Sequence, residues 1–229
     1  TFGMEDHLKS RAIAGLSWRM LQSVSAQLVN FILQLILARL LLPEDYGIVS
    51  MAAVFITVAN VFVQTGFSSA IIQQETLTEQ ETSSAFFGGM LLSVVLFAAL
   101  FFAAPAVSRF YREPILTGVL RVQAVNLPVL ALCSVQLALL TRELQYKKSF
   151  LASLIGYLVN GVSGIMMALM GMGVWALVLS ALFGNIVNCV VLFLVTRWLP
   201  RARPSFSAAR GVLSFSSKIL AANLLNTLY

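Results

Sequence analysis

Residues 149–196 read SFLASLIGYLVNGVSGIMMALMGMGVWALVLSALFGNIVNCVVLFLVT, 48 positions without one Asp, Glu, Lys or Arg. A helix crossing about 30 Å of hydrocarbon needs about 20 apolar residues, so this run is too long for a single span. Gly171-Met172-Gly173 lies near its middle and leaves 22 residues before it and 23 after. Two membrane helices joined by a tight glycine turn fit the run. The same criterion, carried outward, finds charge-free runs at 20–38, 46–74, 82–108 and 122–141. The expectation is six complete spans.

Strands do not explain these runs. Spanning strands are short and alternate polar with apolar residues, and the stretch from Met90 to Ala104 shows no alternation. Helices also satisfy their own backbone hydrogen bonds in lipid. Composition agrees: 59% of the 229 residues are hydrophobic and 10% charged, against about 45–50% and about 25% in soluble domains. The mean hydropathy is +0.89. The first run is followed by Leu41-Leu42-Pro43-Glu44-Asp45-Tyr46-Gly47 rather than a small-residue cleavage site, so it reads as an uncleaved first span.

Net charge is +6, from 15 Lys+Arg against 9 Asp+Glu. The cations are scattered between apolar runs, which points to anionic lipid and topology rather than nucleic acid. With the N-terminus in the cytoplasm, inner segments carry 11 Lys/Arg and outer ones 4, namely Arg39, Arg109, Arg112 and Arg121. That bias places the N-terminus inside. Trp18 and Trp198 then mark the inner boundary, and Tyr46, Tyr111 and Trp175 the outer one. Residues 1–18 read as a cytoplasmic or interfacial segment. Leu8, Ala12 and Leu16 recur every four residues there, which fits a short interfacial helix or a continuation of span one. Residues 19–198 form the six-helix lobe. Residues 199–229 read as a cytoplasmic loop and the start of a seventh helix that stops at Tyr229, an expectation that the chain is the N-terminal part of a longer transporter.

Several chemistries lack the residues they require. Cys133 and Cys189 lie inside apolar runs and His7 is the single histidine, which gives no metal-ligand spacing and no disulfide framework. None of the nine acids falls within a span, so there is no buried carboxylate for ion coupling. There is no phosphate-binding glycine loop and no nucleophile–base constellation. The reading is not an enzyme, with no cofactor and no metal.

Polar side chains in lipid usually face a neighbouring helix or a water-filled cavity. In span one, Arg19, Ser23, Gln27, Asn30 and Gln34 fall within an arc of about 80° at about 100° per residue. A stripe this long exceeds what helix contact needs, and reads as a wetted wall. Arg39 lies about 120° or more from it and reads as a snorkelling residue. Thr57, Asn60 and Gln64 form a shorter stripe in span two. Ser149, Ser153, Gly156, Asn160 and Ser163 in span five, and Ser180, Gly184 and Asn188 in span six, are small enough to serve as helix-packing faces. Pro128 predicts a bend in span four.

The loops are more specific. Leu37-Ala38-Arg39-Leu40-Leu41-Leu42-Pro43-Glu44-Asp45-Tyr46-Gly47 resembles the first outer loop of bacterial polysaccharide flippases. Gly66 to Gln74, Phe110-Tyr111-Arg112-Glu113-Pro114, Arg142 to Phe150, and Gly171 to Val178 resemble further segments in the same order. Physically, Pro43 and Gly47 are expected to bracket one turn, and Gly171 and Gly173 another. The resemblance is to the Wzx-type O-antigen and exopolysaccharide flippases of the multidrug/oligosaccharidyl-lipid/polysaccharide exporter superfamily. It implies an all-α polytopic bundle, one lobe of a transporter of 12–14 helices. It also implies an inner-membrane location and movement of undecaprenyl-diphosphate-linked oligosaccharide between leaflets by alternating access, with polysaccharide polymerase machinery as a partner. Beside it, the residue reading offers Gln27, Asn30, Gln34, Asn60 and Gln64 as amides suited to sugar hydroxyls, and Arg19 for a diphosphate. A multidrug or small-molecule antiporter of the same superfamily is the rival. Its members often carry an acid in the first helix, and span one has none.

Overall fold

The computed structural model describes residues 20, 23–25, 27–29, 31–73, 79–143 and 145–198, with the backbone alone at 64–73 and 79–81. Among these residues the fold is all-α. Its helices are α1 (Ser23–Leu40), α2 (Pro43–Gln73), α3 (Glu79–Tyr111), α4 (Ile115–Ala124), α5 (Asn126–Arg142), α6 (Tyr146–Leu169) and α7 (Val174–Thr196). Six segments are long and apolar enough to cross a membrane, α4 and α5 counting as one segment, Ile115–Arg142. The chain is a multi-pass membrane protein. Trp18, Arg19, Asn30 and the segments 1–18 and 199–229 fall outside the described residues.

The break in the fourth span follows from Pro128. Its ring nitrogen has no hydrogen to offer the Ala124 carbonyl, and the helix is interrupted one residue later, at Val125. There the backbone tightens so that Val125 N–H bonds Val122 O at 3.1 Å. The span divides there into two helices, with Val125 itself at φ −59° and ψ −26°. This span also begins earlier than its charge-free run, so Arg121 sits inside α4 rather than in an outer loop.

Three connections gather at one end of the bundle. Between α1 and α2 the chain reverses at Leu41-Leu42, where Asp45 Oδ2 accepts the Leu42 N–H at 3.2 Å. Pro43 and Gly47 do not bracket this turn. Pro43 opens α2, where a missing N–H costs nothing, and Gly47 lies within the helix. At the α3–α4 connection Arg112 adopts φ 59°. Glu113 N–H reaches back to Ser108 O at 3.1 Å, and Ser108 Oγ–H donates to Glu113 O at 2.7 Å, so the last turn of α3 is capped. Between α6 and α7, Gly171 and Gly173 take φ of 75° and 56°, values open to glycine at little cost. Trp175 is half-buried, its ring lying against Gly118 of α4.

Ala52, Ala104, Leu116, Leu120, Val174 and Val178 form the core at that end. Ala85, Phe86, Val135 and Ala138 form it at the other, with Trp198 packed on Phe86 at 6.0 Å between ring centroids. The helix α5 runs through the middle, sharing Leu127 and Ala131 with α2 and Cys133 and Leu140 with α6 and α7.

The two helices α6 and α7 meet along small residues. A Cβ on Gly156 would stand 2.9 Å from both Asn188 Cβ and Gly184 O. One on Gly184 would stand 2.8 Å from Asn160 Cβ and Gly156 O. Gly164 faces Ser180, and Ala168 shares a buried cluster with Ala176. Each step is four residues on both antiparallel helices, so the backbones touch along one continuous line. The packing role expected of these faces is what the structure has.

A candidate polar wall and a half-buried arginine

The helix α1 joins the bundle by its second half. Leu33 packs over Gly161 and Leu37 beside Gly164 of α6, and Leu37 and Leu41 are buried with Ala168 and Ala176. At 100° per residue, Ser23, Gln27 and Gln34 stand about 40°, 80° and 60° around the helix from Leu37. The polar stripe therefore flanks the packed seam on one side. All three residues are exposed, so none of the described helices covers them. Val24, Leu28, Phe31, Ile32 and Leu35 make an exposed apolar face next to it.

On the open surface of α1, Ser23 and Gln27 border Val24, Leu28 and Phe31, so the stripe and the apolar face adjoin there. Gln34 lies on the same face nearly two turns on. Of the shorter stripe, Thr57 is exposed and Asn60 half-buried, with its Oδ1 enclosed and unpartnered among the described residues. Gln64 belongs to α2, and its side chain is outside the described set, as are Arg19 and Asn30. Among the described residues no group of three His, Cys, Asp or Glu side chains is placed to hold a metal.

Other polar groups in the bundle escape a periodicity argument. Asn185 Nδ2 of α7 donates to Asn126 Oδ1 of α5 at 2.9 Å, which ties two parallel helices across the core. Gln136 is fully buried with neither amide atom bonded among the described residues. A single amide in an apolar run carries no signal in sequence of which way it points. Arg121 of α4 donates its Nε–H to Phe101 O of α3 at 3.3 Å, and its guanidinium carbon lies 4.3 Å from the centre of the Phe101 ring. A signal for Arg121 existed. The apolar stretch Ile115 to Leu120 precedes it, and treating every charge as a loop marker hid that the span starts there.

Residues 36–229 match the model of a family described as "Polysaccharide biosynthesis protein". Among curated proteins, the chain is 24% identical over 209 residues to the succinoglycan biosynthesis transport protein ExoT of Rhizobium meliloti, covering 91% of this chain and 42% of that one. It is 21% identical over 229 residues to the lipopolysaccharide biosynthesis protein WzxC of Escherichia coli, covering 96% and 45%. The chain thus spans under half the length of these relatives. No solved structure matches.

Proposed function

Because the chain belongs to this polysaccharide biosynthesis protein family, we propose that it supplies one lobe of a flippase that carries lipid-linked oligosaccharide across the bacterial inner membrane. The substrate in this reading is an oligosaccharide on undecaprenyl diphosphate. The glycan passes along a wetted cavity between two lobes while the polyprenyl tail stays in the bilayer. Alternating access moves the opening from the cytoplasmic side, where the N-terminus lies, to the outer side. The polysaccharide polymerase machinery receives the product.

The observation that carries this reading is the exposed amide stripe of α1 beside its seam with α6. Glutamine amides left uncovered at membrane depth are costly against acyl chains, and inexpensive along a water-filled passage. Gln27, Asn30 and Gln34, with Asn60 and Gln64 of α2, offer both donors and acceptors. Sugar hydroxyls require both. Ser23 adds a hydroxyl at the same wall, and Arg19 would meet the diphosphate at the cytoplasmic entrance.

The test uses protein expressed from its complete reading frame in a host lacking its own flippase. Replacing Gln27, Asn30 and Gln34 together by Leu is expected to lower surface polysaccharide by at least about tenfold, each hydrogen bond lost to a sugar being worth about 1 kcal/mol. Membrane insertion should persist. Undiminished export would refute the wall. Extrusion of dyes or cations without movement of glycan-lipid would instead favour an antiporter.

A further inference from the structure

Arg121 is a charge within a membrane-spanning helix, and its surroundings account for only part of it. Pro105 lies inside α3 and has no N–H for the carbonyl four residues before it, that of Phe101. Arg121 supplies the missing donor through Nε–H, 3.3 Å from Phe101 O. Its guanidinium also lies on the Phe101 ring, 4.3 Å from the centroid. That ring is held in turn by Phe97 and Phe102, with centroids at 5.7 and 5.8 Å. One edge and one face of the guanidinium are thus occupied. Its Nη donors have no acceptor, and its charge no carboxylate, among the described residues.

Position sharpens the question. Arg121 is six residues into α4, about 9 Å from its start, and Phe101 is ten residues from the end of α3, about 15 Å, at 1.5 Å per residue. Arg121 therefore lies inside the ends of both helices, at the end of the bundle that carries the α3–α4 turn. Arg121 is only half-buried, and Phe102, which packs on Phe101, is 78% exposed. A molecule moving within the bilayer can reach it from the side. Support of one carbonyl does not explain a guanidinium here, since any residue other than proline at 105 would bond that carbonyl from within the helix.

We propose that Arg121, backed by Phe101, binds the phosphate group of an amphiphile in the bilayer. Phosphate is the anion that membrane lipids supply, and the two Nη nitrogens present the parallel donors that a phosphate accepts. A fork pinned at Nε and stacked on a ring is already oriented, so little side-chain freedom is lost on binding. The phosphate belongs either to a bilayer phospholipid or to a polyprenyl diphosphate. The second source rests on the flippase reading, and the first does not.

The test is binding by the protein from its complete reading frame in nanodiscs, with undecaprenyl diphosphate and phosphatidylglycerol as separate probes. Arg121→Gln is expected to weaken retention of at least one probe tenfold or more, and Arg121→Lys by less. Since Arg121→Gln also strands the Phe101 carbonyl, the deciding variant is Pro105→Ala with Arg121→Gln, in which the alanine N–H takes over that carbonyl. Weakened binding in this double variant supports the site. Loss confined to undecaprenyl diphosphate assigns it to the polyprenyl carrier. Loss confined to phosphatidylglycerol assigns it to bilayer lipid and leaves the flippase reading to its own test. Binding of both probes at the unsubstituted level by the double variant overturns the proposal, because the guanidinium would then have served only the carbonyl.

Discussion

Two stretches of this bundle carry polar residues at four-residue spacing, and the structure treats them differently. Along α6 and α7 the stripe is made of Gly156, Asn160, Gly164, Ser180, Gly184 and Asn188, and it is closed, backbone on backbone. Along α1 the stripe is Ser23, Gln27 and Gln34, and it is open. Periodicity is the same in both, so side-chain size separates them. Glycine and serine let carbonyls of neighbouring helices approach to contact, where dispersion and weak polar contacts favour association in lipid. A glutamine at the same position would hold the helices apart. The exposed Gln27 and Gln34 thus contrast with amides that the bundle encloses, Gln136 in α5 and the Asn126–Asn185 pair.

The contrast is broken most severely at Gly184. Gly184→Leu places a side chain 2.8 Å from the Gly156 carbonyl. Neither backbone can yield cheaply, and overpacking of this kind costs about 1–3 kcal/mol or more. The expected outcome is loss of the monodisperse protein on size exclusion and a markedly lower melting temperature. Wild-type behaviour would mean that α6 and α7 are not in contact there. A smaller effect sharpens the comparison at an amide pair that the bundle closes. Asn185→Leu removes the hydrogen bond to Asn126, and interhelical bonds in membranes average about 0.6 kcal/mol with a maximum near 1.7. A thermal shift of a few degrees is expected, and Asn126→Leu added to it should recover part of the loss by removing the stranded acceptor. A double variant less stable than Asn185→Leu alone would contradict that account.

Much of the fold could be read in the sequence because the bilayer imposes one rule on every span. The glycine turn at 171–173 lies where the 48-residue run had to divide, and Pro128 marks the break at Val125. What misled was the use of charge as a boundary. Arg121 is tolerated in α4 because a proline on another helix, 16 positions earlier in the chain, frees a carbonyl for it, a pairing that exists only after α3 and α4 pack. Pro43 and Gly47 misled in a similar way, since both residue types suit turns and helix starts alike. For the candidate site, the angular grouping of Ser23, Gln27 and Gln34 was legible. Their place beside the α6 seam was not, since it depends on Leu33 and Leu37 fitting over Gly161 and Gly164. Gln136 and Asn126 became visible only through burial.

The wetting of α1 is what the whole functional reading depends on, and thiol labelling measures it directly. With Cys133 and Cys189 replaced by Ala, single cysteines are placed at Gln27 and Gln34, and at Leu28 and Ile32 on the apolar face. Each is treated with a membrane-impermeant methanethiosulfonate. Only a thiolate reacts, and it forms in water rather than in hydrocarbon, so positions 27 and 34 should label at least about tenfold faster than 28 and 32. Equal rates at all four positions, or faster labelling of the apolar face, would show that the stripe does not line an aqueous passage.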